Sequence, residues 1–312
     1  MMTDQSFSVV IPVYNSENTL VELTDRISAT FSNIPGEYEI ILIDDCSEDN
    51  SWQVLERIHQ ENRNVKIIHL QKNFGQHNAV LCGLNYARGD YIITMDDDLQ
   101  NPPEEIPKLI NKIQEGYTVV YGRYGMKQHS RIENFFSRRF QTFVHRILDI
   151  PNTVFISSFA IFTSDVVKNM VSIKSSYIFL PALVRNSVPV NKIANTDVIH
   201  HPRIVGKSNY NLGKYLALSL NLIINYSVFP LLFVGIFGVI VSLISFCYGA
   251  YILVRYLSDP TYGLMGWTST MVALTFIGGM ILFSIAIIGE YLRRILTEVS
   301  HGQQYVIGEM EL

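Results

Sequence analysis

The chain has 312 residues, 48% of them hydrophobic, and 24 Lys and Arg against 28 Asp and Glu give a net charge of −4. That length allows one large or two ordinary domains, and the apolar content is high for a wholly aqueous protein. Three cysteines, Cys46, Cys82 and Cys247, show no CxxC spacing, which excludes a zinc ribbon, a redox pair and a disulfide framework.

The charge is unevenly spread. Residues 1–214 carry 21 basic and 23 acidic residues, whereas 215–312 carry only 3 and 5. The first part reads as an aqueous domain and the last as a membrane domain. Within the aqueous part, residues 1–122 balance at −11 and residues 123–214 at +9. An acidic half suits a metal site, and a basic half just before a membrane segment suits anionic lipid or phosphate.

The start, MMTDQS, lacks a basic n-region and a long apolar h-region, so the N-terminal domain is expected to stay in the cytoplasm. FSVVIPVY (7–14) reads as a strand, followed by a polar loop and a helix start. The pattern recurs. YEIILID (38–44) precedes a helix near 50–61, VKIIHL (65–70) a helix near 76–88, and DYIITMD (90–96) a helix near 104–115; TVVYG (118–122) follows. Strands alternating with helices imply an α/β fold with an open, largely parallel sheet buried on both faces. Such sheets bind ligands beyond the carboxyl ends of their strands, so the polar residues there are the site candidates.

Residues 131–149 mix Phe135, Phe136, Phe140, Phe143 and Ile147 with Arg131, Arg138, Arg139 and Arg146. This pattern fits an interfacial amphipathic helix, or equally a surface helix packed on the core. A second such segment, 212–228, leads toward the membrane. No charge occurs from Phe229 to Val254 or from Gly263 to Gly289, enough for two spans, at about 229–254 and 264–289. A cytoplasmic tail, 290–312, is expected after them. Arg293 and Arg294 follow the second span and Arg203, Lys207 and Lys214 precede the first, so both ends are expected in the cytoplasm. A buried helical hairpin in a soluble protein is the alternative.

Asp96-Asp97-Asp98 falls at a strand end. In an extended chain Asp96 and Asp98 point one way and Asp97 the other. Two carboxylates on one side, with Gln100 beyond, offer hard oxygen ligands for Mg2+ or Mn2+, completed by substrate phosphates. Asp44 and Asp45 face the same crevice and could accept hydrogen bonds from a nucleobase or a ribose; an Asx turn capping the next helix is the alternative. Arg123, Arg131, Arg203 and Lys207 are candidate ligands for a lipid phosphate or a diphosphate. Gly206-Lys207-Ser208 is not a phosphate loop, since position 201 is His rather than Gly, and no GxGxxG occurs. His200 and His201 are adjacent, not spaced as zinc ligands.

SVVIPVYN, LIDDCSEDN, NFGQHNAVLCGL, GDYIITMDDDLQNPPEEIPKL and GEYLRRI together resemble the family 2 glycosyltransferases that act on polyprenyl phosphates. The resemblance implies a GT-A nucleotide-diphospho-sugar transferase domain over 1–211, interfacial helices and a C-terminal transmembrane hairpin. It implies Asp96, Asp98 and Gln100 as the metal-binding segment for Mg2+ or Mn2+. Pro12, Val13 and Tyr14 would line the base, with Asp44, Asp45, Asp96 and Asp97 binding the nucleotide-sugar. Asp98 and Arg131 would be catalytic, with Arg131 near the phosphates. Arg203 and Ser208, with Arg123, Arg131 and Lys207, would meet the lipid phosphate. The implied partners are a nucleotide-sugar (a UDP-sugar first), undecaprenyl phosphate, the membrane and further copies in a homotetramer, with no nucleic acid.

Two departures stand out. Ser16 separates Asn15 from Glu17, where relatives place Glu directly after Asn. In FISSFAIFTSD (155–165), Ser157, Ser158, Phe159 and Ala160 stand where many relatives carry an Asp or Cys and then an Arg. That segment therefore offers no general base. None is needed for an acceptor phosphate that is already ionised, and catalysis then rests on positioning and on stabilising the leaving diphosphate. In-line attack inverts the anomeric centre. A processive polysaccharide synthase would carry QxxRW, yet Trp52 and Trp267 are the only tryptophans and neither follows an Arg. A non-enzymatic membrane scaffold on a degenerate transferase fold stays open.

Overall fold

The computed structural model describes residues 5–124, 151, 153–175, 177–201, 229–258, 266–299 and 304–312. The chain divides into two compact units, one of Met1–Asn211 with His301–Leu312 and one of Leu212–Ser300.

In the first unit the strands are β1 (Ser6–Val13), β2 (Glu37–Asp44), β3 (Val65–Leu70), β4 (Tyr91–Thr94), β5 (Val119–Tyr124), β6 (Ala160–Thr163), β7 (Ile193–Val198) and β8 (Ile307–Glu311). The helices are α1 (Leu20–Phe31), α2 (Ser51–Glu61), α3 (Gln76–Tyr86), α4 (Ile106–Ile113), α5 (Ser164–Ser172) and α6 (Leu180–Ser187). The eight strands form one sheet in the order β7-β5-β6-β4-β1-β2-β3-β8. Pairs β1/β2, β1/β4, β2/β3 and β5/β7 are parallel. The sheet is nevertheless mixed rather than largely parallel, because β6 runs antiparallel between β4 and β5, and β8 antiparallel along β3.

Apolar runs on both faces of the central strands explain the layering. Val9, Ile11, Ile40, Leu42 and Ile67 are fully buried and share one core with Leu20, Leu23 and Ile27 of α1 and Leu55 of α2. Ile106, Leu109, Ile110 and Ile113 of α4 join it at helical spacing. On α3, Gly83 brings the helix close to the strands: a Cβ there would lie 2.5 Å from both Ile43 and Val10. The Arg26 guanidinium clamps α1 to the turn before α4, with Nε and Nη2 donating to Glu104 at 2.9 and 2.8 Å.

The second unit contains two long helices, α7 (Phe229–Ser258) and α8 (Trp267–Val299). Both run beyond the expected limits, and α8 takes in residues 290–299 of the expected tail. Among the described residues, one stretch, Phe276–Leu296, is long and apolar enough to cross a membrane, and Pro230–Val241 is a shorter apolar stretch. Large apolar side chains such as Leu243, Val254 and Leu282 stand 60–70% exposed. The end of the expected tail is not free either, since Ile307–Glu311 is the edge strand β8. Segments 131–149 and 212–228 lie outside the described residues.

Candidate active site

The parallel strands β1, β2 and β4 deliver their carboxyl ends to one edge, with Val13 opposite Asp44 and Val10 opposite Thr94. Pro12 and Val13 are buried within β1, whereas Tyr14 is 39% exposed. The chain then turns at Asn15, whose φ of 54° lies in the left-handed region that Asn tolerates. Its N–H donates to Ser47 Oγ at 3.0 Å, and its Oδ1 accepts the N–H of Glu48 at 2.8 Å. Ser16 donates its N–H to Ser51 Oγ, and Glu17 accepts both the N–H and the amide of Asn50. The interposed serine thus stitches the loop after β1 to the start of α2.

Asp44 and Asp45 are buried. Asp44 accepts the Ser47 N–H and hydroxyl, and its Oδ2 lies 2.6 Å from His69 Nδ1, whose ring meets Trp52 at 5.0 Å. Asp45 accepts the N–H groups of Phe74 and Gly75 at 2.7 and 2.8 Å. Burial pushes its carboxyl up, and neighbouring Asp44 adds to that, against the pull of the two donors. Both carboxylates therefore organise loops from within, and a nucleotide would have to share oxygens already in use.

The acidic triplet lies past the end of its strand, where the chain bends. Strand β4 ends at Thr94, and the chain bends through Asp97 to Gln100. Leu99, at φ 59° and 2% exposed, turns back into the core. Asp97 faces the β1 loop: its Oδ2 accepts the Tyr14 N–H at 3.1 Å and its carbonyl accepts the Thr19 hydroxyl at 2.7 Å. Burial pushes the Asp97 carboxyl up to about 6, with Asp98 beside it adding to the shift. Asp96 accepts the Gln76 amide at 2.7 Å on Oδ1 and the Ser158 hydroxyl at 2.5 Å on Oδ2. Asp98 Oδ1 accepts the Gln100 N–H at 3.1 Å. Gln100 also joins the segment after β7, where its carbonyl accepts the His201 N–H at 2.8 Å.

Gln76, Ser158, Tyr124 and Asn101 were not singled out by the sequence reading as site residues. The Tyr124 hydroxyl shares hydrogen bonds with Ser157, Ser158 and Asn101, its ring stacks on His200 at 4.2 Å, and burial pushes its phenol up to about 12. The motif GQHNAV and the departure at 155–165 were the available signals.

Among the described residues no three His, Cys, Asp or Glu side chains converge on a ready-made metal cage. The donor set still fits Mg2+ or Mn2+, because such ions are held by one or two carboxylates together with substrate phosphates. Arg123 lies opposite Asp197 across β5 and β7 and bonds it in a fork at 2.6 and 3.0 Å. A lipid phosphate there would compete with that carboxylate. Arg131, Arg203, Lys207 and Ser208 lie outside the described residues.

Residues 8–171 match the family model described as glycosyl transferase family 2. The chain is 33% identical to the undecaprenyl-phosphate 4-deoxy-4-formamido-L-arabinose transferase of Edwardsiella ictaluri, over 98% of its own length and 94% of that protein. It is 32% identical to an uncharacterized glycosyltransferase of Synechocystis, over 97% and 95%. Among solved structures it is similar to glucosyl-3-phosphoglycerate synthase from Mycobacterium tuberculosis in complex with phosphoglyceric acid, with a TM-score of 0.53 and 18% identity over 70% of this chain and 78% of that one. The same enzyme in complex with Mn2+, UDP-glucose and phosphoglyceric acid gives 0.50. At that identity the structural likeness speaks for the fold alone, a GT-A α/β fold built on a mixed sheet.

Proposed function

From a chain that belongs to glycosyl transferase family 2, we propose a specific reaction: one sugar moves from a nucleotide-sugar onto a polyprenyl phosphate, with inversion at the anomeric carbon. The carrying observation is coverage. A transferase whose name specifies undecaprenyl phosphate matches 98% of this chain, the apolar helices included. The acidic triplet and Tyr14 at one sheet edge support a nucleotide-sugar donor, a UDP-sugar first.

Asp96 and Asp98 are the residues we assign to the metal, with Gln100 tying their loop to the segment after β7. A bound Mg2+ or Mn2+ would neutralise charge on the departing nucleoside diphosphate. The protein's own part is to orient the donor, exclude water and hold the ionised acceptor in line.

Membrane attachment through the second unit is part of this reading. The exposed apolar side chains of α7 and α8 exceed what water tolerates on a monomer. The sheet supports an even number of crossings: β8 pairs with β3, so the chain rejoins the first unit after residue 300. A segment that leaves and rejoins one unit, if it spans, must cross and return. That reading places both termini and the catalytic unit on the cytoplasmic side.

The test is nucleotide release by the full-length protein in detergent, with UDP-, GDP- and dTDP-sugars, with and without Mg2+ or Mn2+ and undecaprenyl phosphate. Release that needs both lipid and metal supports the proposal. Binding of nucleotide without release across the panel favours the scaffold.

A further inference from the structure

Two segments distant in sequence converge on Asp96, just past the end of β4: the start of α3 and the turn before β6. Oδ1 accepts the Gln76 amide at 2.7 Å and Oδ2 the Ser158 hydroxyl at 2.5 Å. Ser158 is itself held, because its carbonyl accepts the Thr94 hydroxyl at 2.8 Å, just where β4 and β6 pair. Ser157 differs: its hydroxyl donates to the Phe159 carbonyl at 2.9 Å. A serine hydroxyl has one proton, and the Asp96 carboxylate takes it.

The Gln76 amide and the Ser158 hydroxyl are neutral donors, so each orients the carboxylate without itself cancelling its charge.

On the metal-assisted reading above, we propose that Ser158 is a positioning residue for Asp96. Its hydroxyl fixes the carboxylate's orientation toward the metal–diphosphate, and Gln76 does the same from the other oxygen. The turn before β6 thus serves donor binding through Asp96 and not as a base.

The test is Mn2+ binding by the full-length protein in detergent with UDP present, followed by the electron paramagnetic resonance of free Mn2+. Thermal unfolding runs alongside. Loss of a hydrogen bond to a metal-ligating carboxylate weakens metal binding by about tenfold or more. Ser158→Ala is expected to show that loss with an unfolding midpoint close to wild type, since the site is half-buried and water replaces the hydroxyl. Ser158→Thr restores the affinity, and Gln76→Ala weakens it in the same direction. Wild-type binding that Ser158→Ala leaves unchanged overturns the positioning role and leaves the proposed function standing. A wild-type protein that binds no Mn2+ with UDP overturns the metal reading and this assignment with it.

Discussion

The N–H of Tyr14 donates to Oδ2 of Asp97 at 3.1 Å, which makes the loop after β1 and the acidic triplet after β4 one body. The middle aspartate of the triplet is thereby a buttress, and its neighbours Asp96 and Asp98 are carried by it. Asp97→Ala leaves the Tyr14 N–H without its acceptor and is expected to destabilise the first unit by about 1–3 kcal/mol. Thermal unfolding of the purified variant measures this. An unchanged midpoint would show that the contact carries no stability.

The same carboxyl has a pH signature. Its folded pKa, about 6, lies above the ordinary 3.8, so the folded state binds the proton more tightly. The stability this supplies is complete below about pH 4 and is lost as pH rises to about 6. The stability difference between wild type and Asp97→Asn should therefore change across that window and stay level above it. A denaturant series at several pH values reads it directly.

Asp98→Asn removes the charge we assign to the metal while keeping the side chain's shape. Turnover is expected to fall by at least about a hundredfold, with unfolding and membrane insertion unaltered. Wild-type turnover would contradict the metal assignment.

At Gly83 a methyl group would meet Ile43 and Val10 at 2.5 Å. Overpacking of this kind costs about 1–3 kcal/mol, so Gly83→Ala should lower the unfolding midpoint without changing the donor's KM. A midpoint equal to wild type would mean that α3 shifts freely.

On the proposed topology of two crossings, residues 259–265 would face the far side of the membrane. In a background without native cysteines, Thr261→Cys should react with an impermeant maleimide in intact cells. A cysteine placed at Ser6 should react only in inverted vesicles. The reverse pattern would contradict the proposed orientation.

Much of the sheet was legible because β1 to β4 are apolar runs broken by polar turns, and α4 shows its buried face at helical spacing. The two antiparallel strands were not. Ala160–Thr163 and Ile307–Glu311 are short, and the residues they pair with lie 39 or more positions away in sequence. The site was legible in residue type more than in direction. The triplet lies past the end of β4, where the chain bends, so strand alternation does not govern Asp96, Asp97 and Asp98. Ser158 was visible only as a departure, because its role depends on where Asp96 ends up.

The most direct test of the account is mass spectrometry of the lipid after incubation of the full-length protein with undecaprenyl phosphate, a UDP-sugar panel and Mn2+. The account predicts a new lipid heavier by one sugar residue, formed by wild type and not by Asp98→Asn. An unmodified lipid with every donor, from folded protein that binds UDP and Mn2+, would contradict the claim that this chain glycosylates a polyprenyl phosphate.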